Sequence, residues 1–168
     1  ESESSMIRSK GHCNTMGTAS TMGCVAEALG MTLPGLAGTP AADSRLLKAS
    51  HDSGRRIVEM VKEDLKPQDI LTMGAFTNAI VALGAIGGST NAVVHLLAIA
   101  GRAGVNLTLD DFDRLGSRIP LLVNLLPAGE HLMEDLFRAG GLRAVLAEVE
   151  HHLDRSAINV TGRPTVEN

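Results

Sequence analysis

The sequence predicts a helix-rich α/β protein with few strands of its own. Apolar residues recur at helical spacing in about six segments, whereas one short apolar run has the length of a buried strand. The 168 residues are 44% hydrophobic and 20% charged, which is typical of a globular chain of one domain's length. Because one strand cannot form a sheet, we expect its partner strands either hidden in this chain or outside it.

The first helix is predicted over residues 16–30, where Met22, Val25 and Leu29 share one face and Gly30 provides the stop. The segment TLPGLAGTP then predicts a loop. Residues 41–66 form the longest predicted helix, ended by Pro67. Charged residues occupy one side of this helix, and the other side is apolar, with Ile57, Val58, Val61 and Leu65.

The next segment, residues 71–86, is apolar and ambiguous between helix and strand. Two glycines break it before a helix over NAVVHLLAIAGRAG, and LTLDDFDRLG predicts a further helix with a weak capping box at Thr108 and Asp111. Residues 119–127, an apolar run bounded by prolines, have the length of a buried strand. Two more helices are predicted, over 129–138 and 140–153, before a polar, extended tail.

The composition argues against several classes of function. A net charge of −4 disfavours non-specific nucleic-acid binding, and the absence of Trp and Tyr nearly excludes aromatic stacking on bases or sugars. No apolar stretch is long enough to span a membrane. Two cysteines cannot build a disulfide-rich scaffold, so we expect reduced thiols and a cytoplasmic protein.

The first candidate site is the run GHCNTMGTAST around Cys13, in a small polar loop just before a helix. Backbone N–H groups and the helix N-terminus would stabilise a thiolate there, as metal ligation or nucleophilic attack requires. The alternative is a structural thiol. His12 and Cys13 resemble a catalytic dyad, although sequence neighbours usually point apart. Cys24 falls beside the apolar positions of the helix and is interpreted as a core residue.

The second candidate site is Gly87-Gly88-Ser89-Thr90-Asn91, where free N–H groups, hydroxyls and an amide precede a helix and suit a carboxylate or phosphate. An ordinary helix cap is the alternative. The third candidate lies at the end of the predicted strand, where Glu130 and His131 are either acid–base groups or, as we prefer, the first turn of a helix.

Three blocks of the sequence together resemble a known family. GHCNTMGTASTMGCVAEALGMTLPG, AIGGSTNAVVHLLAIA and IPLLVNLLPAGEHLMEDLFRAGGL are similar, in this order, to blocks of the dihydroxy-acid dehydratase / phosphogluconate dehydratase family. The resemblance covers residues 8–166. The residues that follow Cys13 look closest to the sugar-acid branch, which comprises the arabinonate, xylonate and gluconate dehydratases.

The resemblance implies a hydro-lyase that converts a 2,3-dihydroxy sugar acid to a 2-keto-3-deoxy acid. Family members carry a [2Fe-2S] cluster on three cysteines and a Mg²⁺ ion, and they assemble as homodimers or homotetramers. Cys13 matches the last cluster cysteine; an iron then acts as Lewis acid on the 3-hydroxyl while a base takes the C2 proton. Further implied site residues are Thr15, Thr18 and Ser20 near the cluster, and Ser89, Thr90 and Asn91 in the substrate pocket.

The chain departs from the family pattern by what it lacks. The two other cluster cysteines, the upstream Mg²⁺-binding acidic residues, a modified lysine and the downstream domain with its serine base are absent. Residues 1–168 are therefore expected to be a single partial domain, an internal piece of about a third of the enzyme. This piece is the second half of a three-layer α/β/α, cluster-binding N-terminal domain. We expect the piece alone to hold neither cluster nor Mg²⁺ and to be inactive.

Two alternatives to a sugar-acid dehydratase stay open at this point. One is the dihydroxy-acid dehydratase of branched-chain amino-acid synthesis. The other is a non-catalytic interaction or dimerisation module that kept the fold. The expected partners are a sugar acid, the remaining parts of the same enzyme and further copies of it, with no nucleic acid and no membrane. A thiol enzyme based on Cys13 and His12 has little support.

Overall fold

The computed structural model describes residues 11–167, and 57% of these residues are helical when the 3-10 turns are included. Within this range there is no β-strand, and backbone bridges occur at two isolated positions. This agrees with the predicted helix-rich α/β fragment that has few strands of its own. The α-helices are α1 (Thr18–Ala28), α2 (Ser44–Glu63), α3 (Pro67–Ile70), α4 (Met73–Ala85), α5 (Asn91–Ala103), α6 (Leu109–Gly116), α7 (Met133–Arg138) and α8 (Gly141–Glu148). Two 3-10 turns follow, at Glu150–His152 and Thr165–Glu167.

Helix α4 forms the centre of the described structure. Its residues are apolar on all sides, as is typical of a helix that is buried on all sides. It contacts α1, α5, α6 and α8. On one side of α4, Val81 and Ala85 pack with Cys24 of α1 and Val145 of α8. A second cluster buries Phe76 of α4 with Val25, Leu29 and Leu96. The ambiguous segment 71–86 is therefore a helix, with Thr72 as its N-cap.

The predicted strand over residues 119–127 is wrong. Within it Leu125 is buried, but Leu121 and Leu122 are exposed, and a single bridge joins Leu125 to His131. The physical reason is the lack of a neighbouring strand in the described residues. The run lies instead beside the C-terminus of α4, with the Leu122 N–H donating to the Ala85 carbonyl at 2.9 Å.

Several predicted boundaries also change. Helix α2 begins at Ser44, because Asp43 caps it by accepting a hydrogen bond from the Arg45 N–H, and it ends before Asp64, which has a left-handed φ of 55°. Pro67 does not end this helix; it begins α3 at the first helical position.

The last two predicted helices and the tail differ from expectation as well. Residues 129–132 are not helical, because the N–H groups of Glu130 and His131 donate to the Asn124 carbonyl. Helix α8 ends at Glu148 and passes into a 3-10 turn. The polar tail packs on the body: Asn159 is buried, and the Val160 N–H donates to the Gly30 carbonyl at 2.8 Å.

The apolar side predicted for α2 is exposed rather than buried. Ala49 and Met60 face the body, whereas Ile57, Val58 and Val61 face outward. Among residues 11–167, no helix combines the length and the apolar composition that crossing a membrane requires.

Glu27 is a buried carboxylate that fastens the loop after α1. Its Oε1 accepts a hydrogen bond from the Gly35 N–H at 2.8 Å, and its Oε2 accepts one from the Ala37 N–H at 2.6 Å. Burial raises the pKa of Glu27 above its usual value, even though these backbone donors favour the charged form. Ionising the Glu27 carboxyl in the folded protein therefore lowers the free energy of unfolding.

We predict that stability falls as pH rises through the raised pKa of Glu27. A carboxyl whose pKa is higher in the folded than in the unfolded state contributes its full stability below the unfolded pKa and loses it as it ionises. The measurement is urea unfolding at intervals between about pH 4 and pH 8. Glu27→Gln should flatten this dependence, although it also weakens the loop. An equal slope in both proteins would contradict the prediction.

Candidate functional site

Cys13 is exposed and lies in the loop, residues 11–17, that leads into α1, whereas Met16 of the same loop is buried in the core. Its Sγ atom is 3.0 Å from the Thr15 Oγ1 atom, and either atom can donate the hydrogen bond. The loop therefore presents a thiol with a hydroxyl beside it. A sulfur atom in this setting is open to a ligand and is already paired with a hydrogen-bonding group.

Ser20 holds this loop from the side of α1. Its side chain is buried, and its hydroxyl lies 2.7 Å from the Thr15 carbonyl oxygen and 3.1 Å from the Cys13 carbonyl oxygen. The one hydroxyl proton is shared between two acceptors, so the side chain fixes the backbone on both sides of Asn14. The geometry gives Ser20 a positioning role behind the loop.

His12 contacts the backbone of the loop rather than the thiol. Its Nδ1 atom is 3.0 Å from the Cys13 carbonyl oxygen and 3.3 Å from the Ser20 hydroxyl. A catalytic dyad requires the imidazole within hydrogen-bond reach of the sulfur. The observed contacts therefore favour a structural role for His12.

The opposite side of the loop is held by the segment that contains the third candidate site. The Met16 N–H donates to the Leu126 carbonyl at 2.7 Å. Asn14 accepts hydrogen bonds from the first turn of α7: its carbonyl from the Met133 N–H and its Oδ1 from the Glu134 N–H, both at 3.0 Å. Asn14 thus satisfies two N–H groups at the start of α7.

The second candidate site lies directly against the first. The Thr18 hydroxyl is 2.9 Å from the Ser89 hydroxyl and accepts a hydrogen bond from Asn91 Nδ2 at 2.9 Å. The buried Thr21 Oγ1 accepts a hydrogen bond from the Ser89 N–H, also at 2.9 Å. Two motifs about 70 residues apart in sequence therefore form one polar network at the N-termini of α1 and α5.

Cavities open on both sides of the Cys13 loop. One, of about 360 Å³, is lined by His12, Cys13 and Asn14 together with the loop 36–41. The other, of about 410 Å³, is lined by Thr18, Ser89, Thr90, Asn124 and neighbouring residues. The expected cluster ligand Cys13 lines the first cavity, whereas Ser89 and Thr90, two of the three expected substrate residues, line the second; Asn91 lines neither. The side chains of Glu130 and His131 make no hydrogen bond or ion pair within residues 11–167.

The whole chain matches a known protein family. A family model described as dihydroxy-acid/6-phosphogluconate dehydratase N-terminal matches residues 1–168. The chain belongs to this dehydratase family. The resemblance drawn from the three sequence blocks is confirmed.

Curated relatives within the dehydratase family include sugar-acid dehydratases and dihydroxy-acid dehydratases. L-arabinonate dehydratase of Rhizobium leguminosarum bv. trifolii is 57% identical over 96% of this chain and 28% of that protein. D-xylonate dehydratase of Caulobacter vibrioides is 49% identical over 95% of this chain and 27% of its own length. Dihydroxy-acid dehydratase of Methanothermobacter thermautotrophicus is 49% identical over 93% of this chain and 29% of its own length. The chain spans less than a third of each relative.

Within this dehydratase chain, Cys13 is the cysteine available to a ligand. Cys24 is buried against α4, which confirms its interpretation as a core residue. Burial, and secondarily the charge of Glu27, raise the pKa of the Cys24 thiol to about 12. Metal ligation needs the thiolate, so Cys24 does not replace a cluster cysteine. Residues 11–167 contain no group of three or more His, Cys, Asp or Glu that could hold a metal ion.

Three residues of the site were given no role by sequence analysis: Asn14, Thr21 and Glu27. Asn14 and Thr21 lie inside the Cys13 motif, but their roles depend on contacts with α7 and with the Gly87–Ser89 turn. Glu27 carries a signal that sequence reading can detect, because it is a charged residue among the apolar residues of α1. It supports the loop that lines the Cys13 cavity.

We predict that Gly88→Ala destabilises the chain by about 1–3 kcal/mol. A Cβ at Gly88 would lie 2.7 Å from Thr21 Cγ2 and 2.7 Å from Leu83 Cδ1, so the turn would have to move away from α1. Gly101→Ala is the matched control, because a Cβ there meets nothing within 4 Å. Since alanine favours a helix interior, this control should gain up to about 1 kcal/mol. Urea unfolding measures both; a Gly88→Ala variant as stable as the control would refute the close approach.

Proposed function

We propose that the full-length protein containing this chain is a hydro-lyase that dehydrates a 2,3-dihydroxy sugar acid to a 2-keto-3-deoxy acid. We further propose that Cys13 ligates one iron of a [2Fe-2S] cluster in that protein. The observation that carries the proposal is the exposed Cys13 thiol, 3.0 Å from the Thr15 hydroxyl, on a loop fixed from both sides. The dehydratase names of the relatives support the reaction class.

The described residues fit one ligand of such a cluster. Cys13 is a soft thiol donor that faces a cavity, which suits iron–sulfur ligation. The other cysteine of the sequence is buried, so two further cluster thiolates must come from elsewhere in the full-length protein. The same holds for Mg²⁺, which prefers carboxylate and water oxygens. This chain by itself is accordingly expected to hold neither group.

When bound, the cluster iron supplies Lewis acidity to the leaving hydroxyl of the substrate. Residues of this chain hold the Cys13 sulfur atom in place for that role. The Thr15 hydroxyl hydrogen-bonds with the ligand sulfur atom and tunes its electron density. Ser20 and Asn14 keep the loop rigid by binding its backbone and α7. Rigid support of this kind holds the ligand atom in a productive geometry.

The polar network beside the loop provides groups for a polyhydroxy substrate. Thr18, Ser89 and Asn91 already satisfy one another, so they define a fixed edge. The Thr90 hydroxyl, which lines the second cavity, makes no hydrogen bond within the described part of the chain. Thr90 is therefore the member of this group that is most available to a substrate hydroxyl.

The sugar-acid branch is the preferred assignment over the dihydroxy-acid dehydratases of amino-acid synthesis. The support comes from the L-arabinonate dehydratase relative, which is 57% identical, because the D-xylonate dehydratase and the archaeal dihydroxy-acid dehydratase are both 49% identical. We propose further that the full-length protein is cytoplasmic and forms homodimers or homotetramers.

The ligand role of Cys13 is tested in the full-length protein by Cys13→Ser. A serine oxygen is a poor iron–sulfur ligand, so we expect loss of stoichiometric iron and sulfide, of the cluster's visible absorbance and of dehydration. Cys24→Ala is the matched control: it opens a small cavity and costs about 1 kcal/mol of stability, but keeps iron and activity. Equal iron content in Cys13→Ser and wild type would overturn the assignment.

The same reasoning predicts that the 168-residue chain alone does not assemble the cluster. Anaerobic reconstitution with ferrous iron and sulfide should leave the monomeric chain without stoichiometric iron, because it offers one accessible cysteine. Iron and sulfide analysis after gel filtration gives the answer. Retention of two irons per monomer would contradict the need for ligands from elsewhere.

The substrate assignment is tested by the kcat/KM of the full-length protein. We expect arabinonate, xylonate or gluconate to exceed 2,3-dihydroxyisovalerate by at least about tenfold, because a site built for several hydroxyls is left with unpaired polar groups by the methylated acid. A preference for 2,3-dihydroxyisovalerate would favour the amino-acid branch. Absence of dehydration with a loaded cluster on every acid would favour the non-catalytic alternative.

A further inference from the structure

The outward side of α2 carries an apolar surface that nothing in residues 11–167 covers. The inward side of the helix is tied to the body by Met60 and by Arg56, whose Nε donates to the Val160 carbonyl. On the outward side, Leu47 is 78% exposed and Val61 is 76% exposed. We name this surface the outer stripe; it consists of Leu47, Gly54, Ile57, Val58 and Val61. Exposure of several large apolar side chains on one helix face is typical of a contact site.

Gly54 creates a gap in the middle of the outer stripe. It lies seven residues from both Leu47 and Val61, and a Cβ at this position would meet nothing within 4 Å. Glycine in a helix interior costs about 1 kcal/mol relative to alanine, and no contact inside the described residues requires it here. A small residue between larger ones allows the ridge of a second helix to approach closely.

A row of unpaired positive charges borders the outer stripe. Lys48, Arg55 and Lys62 recur every seven residues, each next to a residue of the outer stripe, and all three are exposed. None forms an ion pair within the part of the chain that the structure describes. The other two cations of α2 differ in this respect: Arg45 pairs with Asp43, and Arg56 pairs with Glu63. The free row is complementary to acidic side chains at the same spacing.

A second copy of the chain that packs with α2 antiparallel does not suit this charge pattern. A two-fold axis perpendicular to α2 would place the basic edges of the two copies side by side, and like charges disfavour such pairing. The stripe spans 15 residues, from Leu47 to Val61, or about 21 Å between its first and last Cα atoms, which is short for a stable dimer interface by itself. An anionic membrane is disfavoured by the net charge of −4 and by Asp52, Glu59 and Glu63 on the polar side.

We propose that the outer stripe docks an amphipathic helix of the same polypeptide that lies outside residues 1–168. Its apolar ridge enters the gap at Gly54, and acidic side chains along one edge meet Lys48, Arg55 and Lys62. The length of the relatives supports this occupant, since the chain covers 28% of the L-arabinonate dehydratase to which it is similar. Linkage in one chain also compensates for the small contact area, because the effective concentration is high.

The first test is zero-length carbodiimide cross-linking of the full-length protein, which joins lysine amines to carboxylates in direct contact. A mixture of ¹⁴N- and ¹⁵N-labelled protein, refolded or co-expressed to exchange subunits, separates links within one polypeptide from links between copies. We expect Lys48 and Lys62 to be joined to Asp or Glu residues outside 1–168, in peptides of uniform isotope composition. Links of mixed isotope composition would overturn the proposal in favour of a second copy. Absence of any link at these lysines would overturn it as well.

The second test measures exposure on the two sides of the same helix. Val58→Cys reports on the outer stripe and leaves the gap at Gly54 open, and Glu63→Cys reports on the polar side of α2 as the matched control; both native side chains are exposed. In the native full-length protein we expect maleimide labelling at position 58 to be at least about tenfold slower than at position 63, at every protein concentration. Equal rates would mean that the outer stripe is uncovered. Protection at position 58 that disappears on dilution would assign the stripe to a partner molecule.

Discussion

The close approach of the Gly87–Ser89 turn to α1 is the constraint on which the candidate site depends. Thr21 lies at this junction: it is buried, its hydroxyl accepts a hydrogen bond from the Ser89 N–H, and its Cγ2 lies 2.7 Å from the place that a Cβ at position 88 would occupy. Without this contact the N-termini of α1 and α5 would separate, and the Thr18–Ser89–Asn91 network would not form. A buried hydroxyl and a glycine thus hold together the two motifs that form the candidate site.

Backbone polar groups around Cys13 form hydrogen bonds within the chain, and the thiol itself stays exposed. The backbone carbonyls of the Cys13 loop bind Ser20 and the N-terminus of α7, and the Met16 N–H binds Leu126. With these groups paired inside the chain, the Cys13 thiol faces the cavity, and the Thr15 hydroxyl lies 3.0 Å from its Sγ atom. Glu27 supports the opposite wall, where the loop 36–41 lies. The Cys13 thiol and the Thr15 hydroxyl are therefore held on a loop whose backbone is fixed by hydrogen bonds to Ser20 and α7.

Much of the helical content could be predicted from the sequence, and particular residues explain the rest. Thr108 and Asp111 begin α6 as the capping pattern indicates, because capping depends on neighbours in sequence. The run 119–127 has the composition of a strand, but a strand exists through its partner, and the described residues provide none. In α2, periodicity identifies the apolar side correctly yet does not specify that it faces outward.

The sequence by itself determined the family, the helix-rich character, and Cys13 as the one cysteine outside an apolar pattern. These depend on local order along the chain, where residue type and spacing are sufficient. Only the tertiary structure decided that Ser20 lies behind the loop, that Ser89 meets Thr18, and that neighbouring cavities separate the thiol from Thr90. Such contacts join residues far apart in sequence, and packing of α1 against α4 and α5 sets their distances.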